Sequence, residues 1–244
     1  MKLSGPSNSG PSVNPAIAPA ADPAVDPATD PAASEFLDFD GYADGALGLG
    51  PGTRVAVWVR GCRRRCPGCI APELWAGGNR TPVDQIVSQI SGLLAKADGL
   101  TISGGEPFDQ AEAVLALVRL VRQRAQTEVL IYTGYTIEEI QSGPPAWKEL
   151  LSNVDILIDG PYMEEEPDTL QWRGSDNQRV HLLSPQAQRH RDTKDLPWPE
   201  QRPLSIQMLS PSTFRLIGIP KRGDLPKFAK LLGDRGFEVI RDDE

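Results

Sequence analysis

Residues that usually mark a site are scarce in this sequence. Of 244 residues only three are cysteine, two histidine and three methionine, and aromatic residues make up 6%. No run of about 18 apolar residues occurs, so no segment reads as a spanning helix, and Met1 to Gly5 lead into no hydrophobic signal segment. A cytoplasmic protein with no membrane partner is expected. Positive charge is also in deficit: 25 Lys and Arg face 33 Asp and Glu, a formal net charge of -8. Neutralising phosphates needs a basic face, which argues against a nucleic-acid partner. Three cysteines, an odd number, suit a reducing compartment better than a disulfide framework.

Apolar side chains are sparse over residues 1–34, which are dominated by Pro, Ala, Ser, Asn and Asp. Asp22-Pro23-Ala24, Asp26-Pro27-Ala28 and Asp30-Pro31-Ala32 recur every four residues, too short a period for a packed repeat. Such a segment cannot offset its ordering entropy, and each proline blocks helix propagation. A disordered, solubilising tail is expected, with a docking function as the alternative.

What is present is concentrated. All three cysteines fall in one loop, Arg60-Gly61-Cys62-Arg63-Arg64-Arg65-Cys66-Pro67-Gly68-Cys69, with CxxxCxxC spacing. Thiolates select zinc, copper(I) or iron–sulfur clusters, and one such loop reaches three corners of a [4Fe-4S] cube. The fourth iron then has no protein ligand. A closed Cys3His zinc site would have to recruit His181 or His190, far downstream and with no supporting local spacing.

Strand and helix signals alternate around this loop. Arg54 to Arg60 reads as a first strand ending at the cysteines, and Thr81-Pro82 as the cap of a helix with Val83, Ile86, Val87, Ile90, Leu93, Leu94 and Ala97 on one face. Leu100 to Ser103 reads as a strand closed by Gly104-Gly105. A helix from about Asp109, carrying Val114, Leu115, Val118 and Val121, precedes a strand over Val129 to Thr133. Thr136 with Glu139 forms a capping-box pattern, and Val154 to Ile158 reads as a strand buried on both faces. This alternation predicts an α/β fold with a parallel sheet, whose active groups gather at the strands' C-terminal ends. Residues 184–203 read as a flexible insertion. Leu204 to Leu209 and Phe214 to Ile219 suggest a hairpin, Leu225 to Leu232 a helix and Phe237 to Ile240 a last strand, so that 204–244 completes the domain.

The cysteine loop resembles that of the radical S-adenosylmethionine enzymes. Leu100 to Pro107, Tyr132-Thr133-Gly134-Tyr135, Val154 to Gly160 and Arg173-Gly174-Ser175-Asp176-Asn177-Gln178-Arg179, in that order, resemble the activating enzymes of anaerobic, class III ribonucleotide reductases. The likeness covers roughly residues 50–183, within a core placed at 35–183, and implies a partial (β/α) barrel. It also implies a [4Fe-4S] cluster on Cys62, Cys66 and Cys69, with S-adenosylmethionine chelating the open iron through its amine and carboxylate. Reductive cleavage would then give methionine and a 5′-deoxyadenosyl radical that takes hydrogen from a glycine of a partner enzyme.

In that reading the backbone at Gly104 and Gly105 meets the ligand's ammonium, and Glu106 supplies nearby negative charge. Gly68 stands where many superfamily members carry an aromatic residue. Backbone around Gly68, Cys69 and Ile70 would meet the adenosyl group, with Thr133 and Gly134 as further contacts. Trp75 either covers the cluster or simply packs, and Asp159 is either a supporting carboxylate or a turn former. Arg60, Arg63, Arg64 and Arg65 would ease cluster reduction and steer an acidic carrier, a flavodoxin or a ferredoxin-type reductant. Glu106 departs from the aspartate common in the reductase activators. Two alternatives stay open: radical chemistry on another peptide or small molecule, and a non-catalytic metal-cluster module for protein interaction.

Overall fold

The computed structural model describes residues 2–4, 36–211, 213–236 and 238–240. The expectation of a disordered tail over 1–34 falls, apart from β1 (Lys2–Ser4), outside the described residues. β1 pairs antiparallel with β11 (Glu238–Ile240), a contact that composition did not suggest.

Four parallel strands form the centre: β3 (Arg54–Val59), β5 (Gly99–Gly104), β6 (Glu128–Tyr132) and β7 (Ile156–Asp159). They sit in a seven-stranded mixed sheet of order β4-β2-β3-β5-β6-β7-β8, where β2 (Phe36–Ala46), β4 (Arg80–Pro82) and β8 (Arg179–Leu182) run antiparallel to their neighbours. The expected α/β class is present. Arg54 to Val59 is not the first strand, however, because β2 precedes it. Leu37 and Phe39 are buried between less buried Asp38 and Asp40, the period of a half-buried strand. Glycines hide the pattern: Gly41 and Gly45 take φ of +152° and +65° where the register with β3 slips.

The crossovers are helical. α1 (Val83–Leu94) buries Val83, Ile86, Val87, Ile90 and Leu94, each contributing about 1.5–3 kcal/mol relative to exposure. Thr81 does not cap it. Pro82 occupies the cap position without a side-chain bond, and Thr81 pairs with Leu37 in the sheet, a long-range contact that overrides the local signal. A 3-10 turn, Pro107–Gln110, leads into α2 (Ala111–Arg124), which buries nine residues. α3 (Ile137–Ser142) carries the expected capping box between Thr136 and Glu139, and α4 (Pro145–Leu151) follows. Side chains of these helices share the main core with Val55, Val57, Leu100, Ile102, Val129, Ile131 and Leu157 of the sheet.

The other face of the sheet is covered by chain from beyond β7. Leu130, Ile156 and Ile158 pack with Trp172, Val180 and Ala187, and Ala43, Ala46 and Ala56 with Ile217. Residues 184–203 thus include a 3-10 turn, Gln186–His190, with Ala187 fully buried; their polar composition belongs to the outward side. β9 (Ser205–Ser210), β10 (Thr213–Ile217), α5 (Asp224–Gly233) and β11 occupy the expected positions.

At the strands' N-terminal end Arg54 is fully buried. It donates to Glu128 Oε1 at 2.9 Å, Thr101 Oγ1 at 3.0 Å and the carbonyls of Leu100 and Glu128 at 2.8 and 3.0 Å. Glu128 Oε2 also meets Arg189 and His190, at 2.9 and 3.1 Å. Gly99 makes room for this cation, since a Cβ there would lie 2.4 Å from Arg54 Nη1.

Candidate functional site

Val59, Gly104, Tyr132 and Asp159 end the four parallel strands at one edge, and the chemistry-bearing loops leave from there. The cysteine loop starts from β3 and is fastened on two sides. Gly61 N and Cys62 N donate to Leu74 O and Trp75 O at 2.8 and 3.0 Å; Gly105 N and Glu106 N donate to Val59 O and Gly61 O at 2.7 and 2.8 Å. A Cβ on Gly104 or Gly105 would sit 2.4 Å from Val59 O or 2.3 Å from Gly61 O. The glycine pair is therefore required by the close approach of β5's end to the root of the cysteine loop, before any ligand is considered.

The three thiols are free and partly exposed. Left-handed φ at Gly61, just before Cys62, and at Arg65 and Gly68 between the cysteines (+84°, +46° and +70°) turns the backbone, and Cys69 N closes a turn on Cys66 O at 3.2 Å. Burial pushes the Cys62 and Cys69 thiols up. Backbone N–H groups of Arg65 and Arg64 oppose this at Cys62, and those of Ala71 with the Trp75 side chain oppose it at Cys69. Metal loading therefore releases protons. Among the described residues no three His, Cys, Asp or Glu side chains converge on a single-ion site. Both histidines are engaged elsewhere, His181 Nε2 3.0 Å from Asp159 Oδ1 and His190 Nε2 3.1 Å from Glu128 Oε2.

Glu106 is a brace. Oε1 accepts from Phe108 N at 3.0 Å and Thr133 Oγ1 at 2.7 Å, and Oε2 from Gly134 N at 2.8 Å, tying the end of β5 to that of β6. Burial raises its carboxyl from 4.5 to about 7; the three donors oppose the shift without cancelling it, and the Asp109 charge adds to it. A value raised on folding means that the protonated form favours the fold. That contribution is complete below about pH 4.5, fades as pH rises toward 7 and is absent above. Glu106→Gln is expected to flatten this limb of the stability–pH curve in urea unfolding between pH 4.5 and 8; an unchanged limb would assign the slope to other groups.

Three of the loop's four arginines are paired with carboxylates. Arg60 meets Asp40 at 2.7 Å, Arg63 meets Asp109 at 2.8 Å, and Arg64 meets Glu139 at 3.2 Å with its guanidinium 4.8 Å from the Tyr135 ring centroid. The positive field at the loop is weaker than four free cations would give. Arg63 is 72% exposed and remains available to an approaching partner.

Opposite the loop a second wall encloses a cleft of about 450 Å³, with Arg63, Arg64 and Cys66 on one side and Tyr162, Met163 and Glu164 on the other. Glu164 lies over Gly68: a Cβ there would be 2.6 Å from its Oε2. The motif from Arg173 to Arg179 holds this wall. Ser175 Oγ accepts from Met163 N at 3.1 Å, Asn177 Nδ2 donates to Pro161 O at 2.8 Å, and Gln178 Nε2 to Gly160 O at 2.9 Å. Asp159 is likewise a structural tie, accepting from Ile137 N and Arg179. Burial opposes its ionisation, but His181, Arg179 and the Ile137 N–H outweigh burial and hold it well below the usual carboxylate range. Tyr162, Met163 and Glu164 were not singled out in sequence, since only the fold brings them to the cysteines.

Residues 49–181 match the model of a 4Fe-4S single cluster domain. The chain is 37% identical over 144 residues to an anaerobic ribonucleoside-triphosphate reductase-activating protein of Vibrio cholerae, covering 55% of this chain and 91% of that one. The protein of the same name in Escherichia coli K12 is 32% identical over 143 residues, covering 55% and 91%. That of Enterobacteria phage T4 is 36% identical over 137 residues, covering 54% and 85%.

Proposed function

The chain belongs to the 4Fe-4S single cluster domain family, and from that premise we propose that it is a radical S-adenosylmethionine enzyme that activates a glycyl-radical enzyme, such as an anaerobic ribonucleotide reductase. One observation carries the reading most strongly. All three free thiols stand in one loop hydrogen-bonded to the Gly104-Gly105-Glu106 strand end, beside a cleft of cofactor size.

Cys62, Cys66 and Cys69 would hold three irons of a [4Fe-4S] cluster. When bound, the cluster would supply the electron for reductive cleavage of S-adenosylmethionine, the chemistry by which a partner's glycine would lose its hydrogen. The protein binds, orients and excludes water. Backbone at Gly104 and Gly105 would receive the ligand's ammonium, and backbone at Gly68 and Ile70 its adenosyl group, with Tyr162 to Glu164 as the facing wall. Glu106 would keep Thr133 and Gly134 in register with the β5 end. Arg63, 72% exposed although paired with Asp109, and the exposed Arg65 would be the cations open to a flavodoxin or ferredoxin-type reductant.

A second reading is the same chemistry on another peptide or small molecule, and the chain does extend beyond the family match at residues 49–181. Its β10 places Ile217 in the core beside Ala56 and Arg215 over the Trp58 ring, with 4.9 Å between guanidinium carbon and centroid. The test is to incubate reconstituted protein, reductant and S-adenosylmethionine with an anaerobic ribonucleotide reductase and record its electron paramagnetic resonance (EPR) spectrum. The first reading predicts a glycyl-radical doublet on the reductase; 5′-deoxyadenosine without the doublet would favour the second.

A further inference from the structure

Consecutive carbonyls of residues 73–76 hold the root of the cysteine loop. Those of Leu74 and Trp75 accept from Gly61 N and Cys62 N at 2.8 and 3.0 Å. Those of Glu73 and Ala76 accept from the Arg60 guanidinium, from Nη2 at 2.7 Å and Nε at 3.3 Å. Arg60 is therefore the side chain that fixes the segment from which the first cysteine hangs. It is aimed in turn by Asp40 of β2, whose Oδ1 accepts from Arg60 Nη1 at 2.7 Å. The other oxygen, Oδ2, accepts at 2.7 Å from Nη2 of Arg215 in β10, which lies outside the family match at residues 49–181. Arg215 is itself seated: its guanidinium carbon lies 4.9 Å from the Trp58 ring centroid, and a Cβ at Gly41 would come within 2.9 Å of its Nη1. Arg60, Asp40 and Arg215 are 26%, 19% and 21% exposed, so water screens the two pairs only in part.

Resting on the reading that this loop carries a cluster, we propose that Arg215 is a positioning residue for the cysteine loop, acting through Asp40 and Arg60. A carboxylate with a guanidinium on each oxygen cannot rotate without breaking one of two charge-assisted bonds. Without Arg215, Asp40 keeps one bond and regains that rotation, and Arg60 loses its fixed direction toward the carbonyls of Glu73 and Ala76. The loop then opens more often at Gly61 and Cys62. β10 keeps Arg215 in place because Ile217 is buried with Ala43, Ala46 and Ala56, and the Phe214 ring meets that of Phe228 with centroids 6.0 Å apart. A strand beyond the family match thereby braces the loop that carries the thiols.

The experiment compares wild type with Arg215→Ala, Arg60→Ala, the double variant and Phe214→Leu, which loosens the hairpin without touching the ion pairs. Hydrogen–deuterium exchange, read by mass spectrometry with electron-transfer fragmentation, is followed at Gly61 and Cys62 in the full chain, both reconstituted and metal-free. Gly105, whose N–H is bonded to Val59 O, is the internal reference. Arg215→Ala is expected to speed exchange at Gly61 and Cys62 about 3- to 10-fold and to leave Gly105 unchanged. Arg60→Ala should do at least as much, and the double variant no more than Arg60→Ala, because both act on one path. In the reconstituted protein Arg215→Ala should lose iron to a chelator about 10-fold faster than wild type, the lower end for outer partners of metal ligands. Unchanged exchange in Arg215→Ala, additive effects in the double variant, or an equal increase in Phe214→Leu overturns the inference alone. Failure of the wild type to assemble a cluster overturns the reading beneath it, while exchange in the metal-free chain still decides the part played by Arg215.

Discussion

Cys66→Ala is expected to lose its cluster and, with it, all detectable 5′-deoxyadenosine formation, while keeping the fold. Cys66 is the middle of three thiols that share one loop, and no further cysteine exists in the sequence to replace it. His181 and His190 are held at Asp159 and Glu128, so neither can substitute. Two thiolates leave half the irons of a cube without protein ligands. The fold should survive because the loop's anchors are backbone bonds of Gly61, Cys62, Gly105 and Glu106, none of which uses the Cys66 side chain. Iron and sulfide counts with the EPR spectrum of the reduced protein check the loss, and thermal unfolding checks the fold. A variant that retains a full cluster would place the ligands elsewhere.

Glu128→Leu is expected to destabilise the protein by about 3–5 kcal/mol, the range for breaking a buried ion pair by removing one partner. Arg54 would be left fully buried with only Thr101 and backbone carbonyls as acceptors, and Arg189 and His190 would lose their shared partner. Against a typical stability of about 5–15 kcal/mol this is a large fraction. The network closes the strand ends opposite the cysteines, so site chemistry per folded molecule should change little. Urea unfolding at constant pH measures the difference. A loss below about 1 kcal/mol would mean that solvent reaches Arg54 and screens its charge.

Local signals were legible in the sequence and long-range ones were not. The Thr136–Glu139 capping box, the apolar stripe of α1 and the cysteine spacing each depend on residues a few positions apart; the box is present as read, and the stripe is buried at Val83, Ile86, Val87, Ile90 and Leu94, with Leu93 only partly buried and Ala97 beyond the helix end. Thr81 shows the opposite case, where pairing with Leu37 displaced a local capping signal. Glu106 shows it at the site. Its spacing from Gly104-Gly105 suggested a charge facing a ligand, but the neighbouring strand end supplies Thr133 Oγ1 and Gly134 N, and the carboxylate turns to them. The Arg173 to Arg179 motif was recognisable as a pattern. Its part in holding Gly160 to Met163 against the cysteine loop depends on contacts that no local period encodes. Gly99 carried no signal in the sequence, where the strand was read from Leu100, yet its missing Cβ is the space that Arg54 occupies.

Radical chemistry at the cysteine loop is measured by reconstituting the protein anaerobically with iron and sulfide, reducing it with dithionite, and assaying 5′-deoxyadenosine formed from S-adenosylmethionine. Wild-type protein is expected to give 5′-deoxyadenosine and methionine in equal amounts. A protein that binds zinc in place of iron and leaves S-adenosylmethionine intact would contradict it.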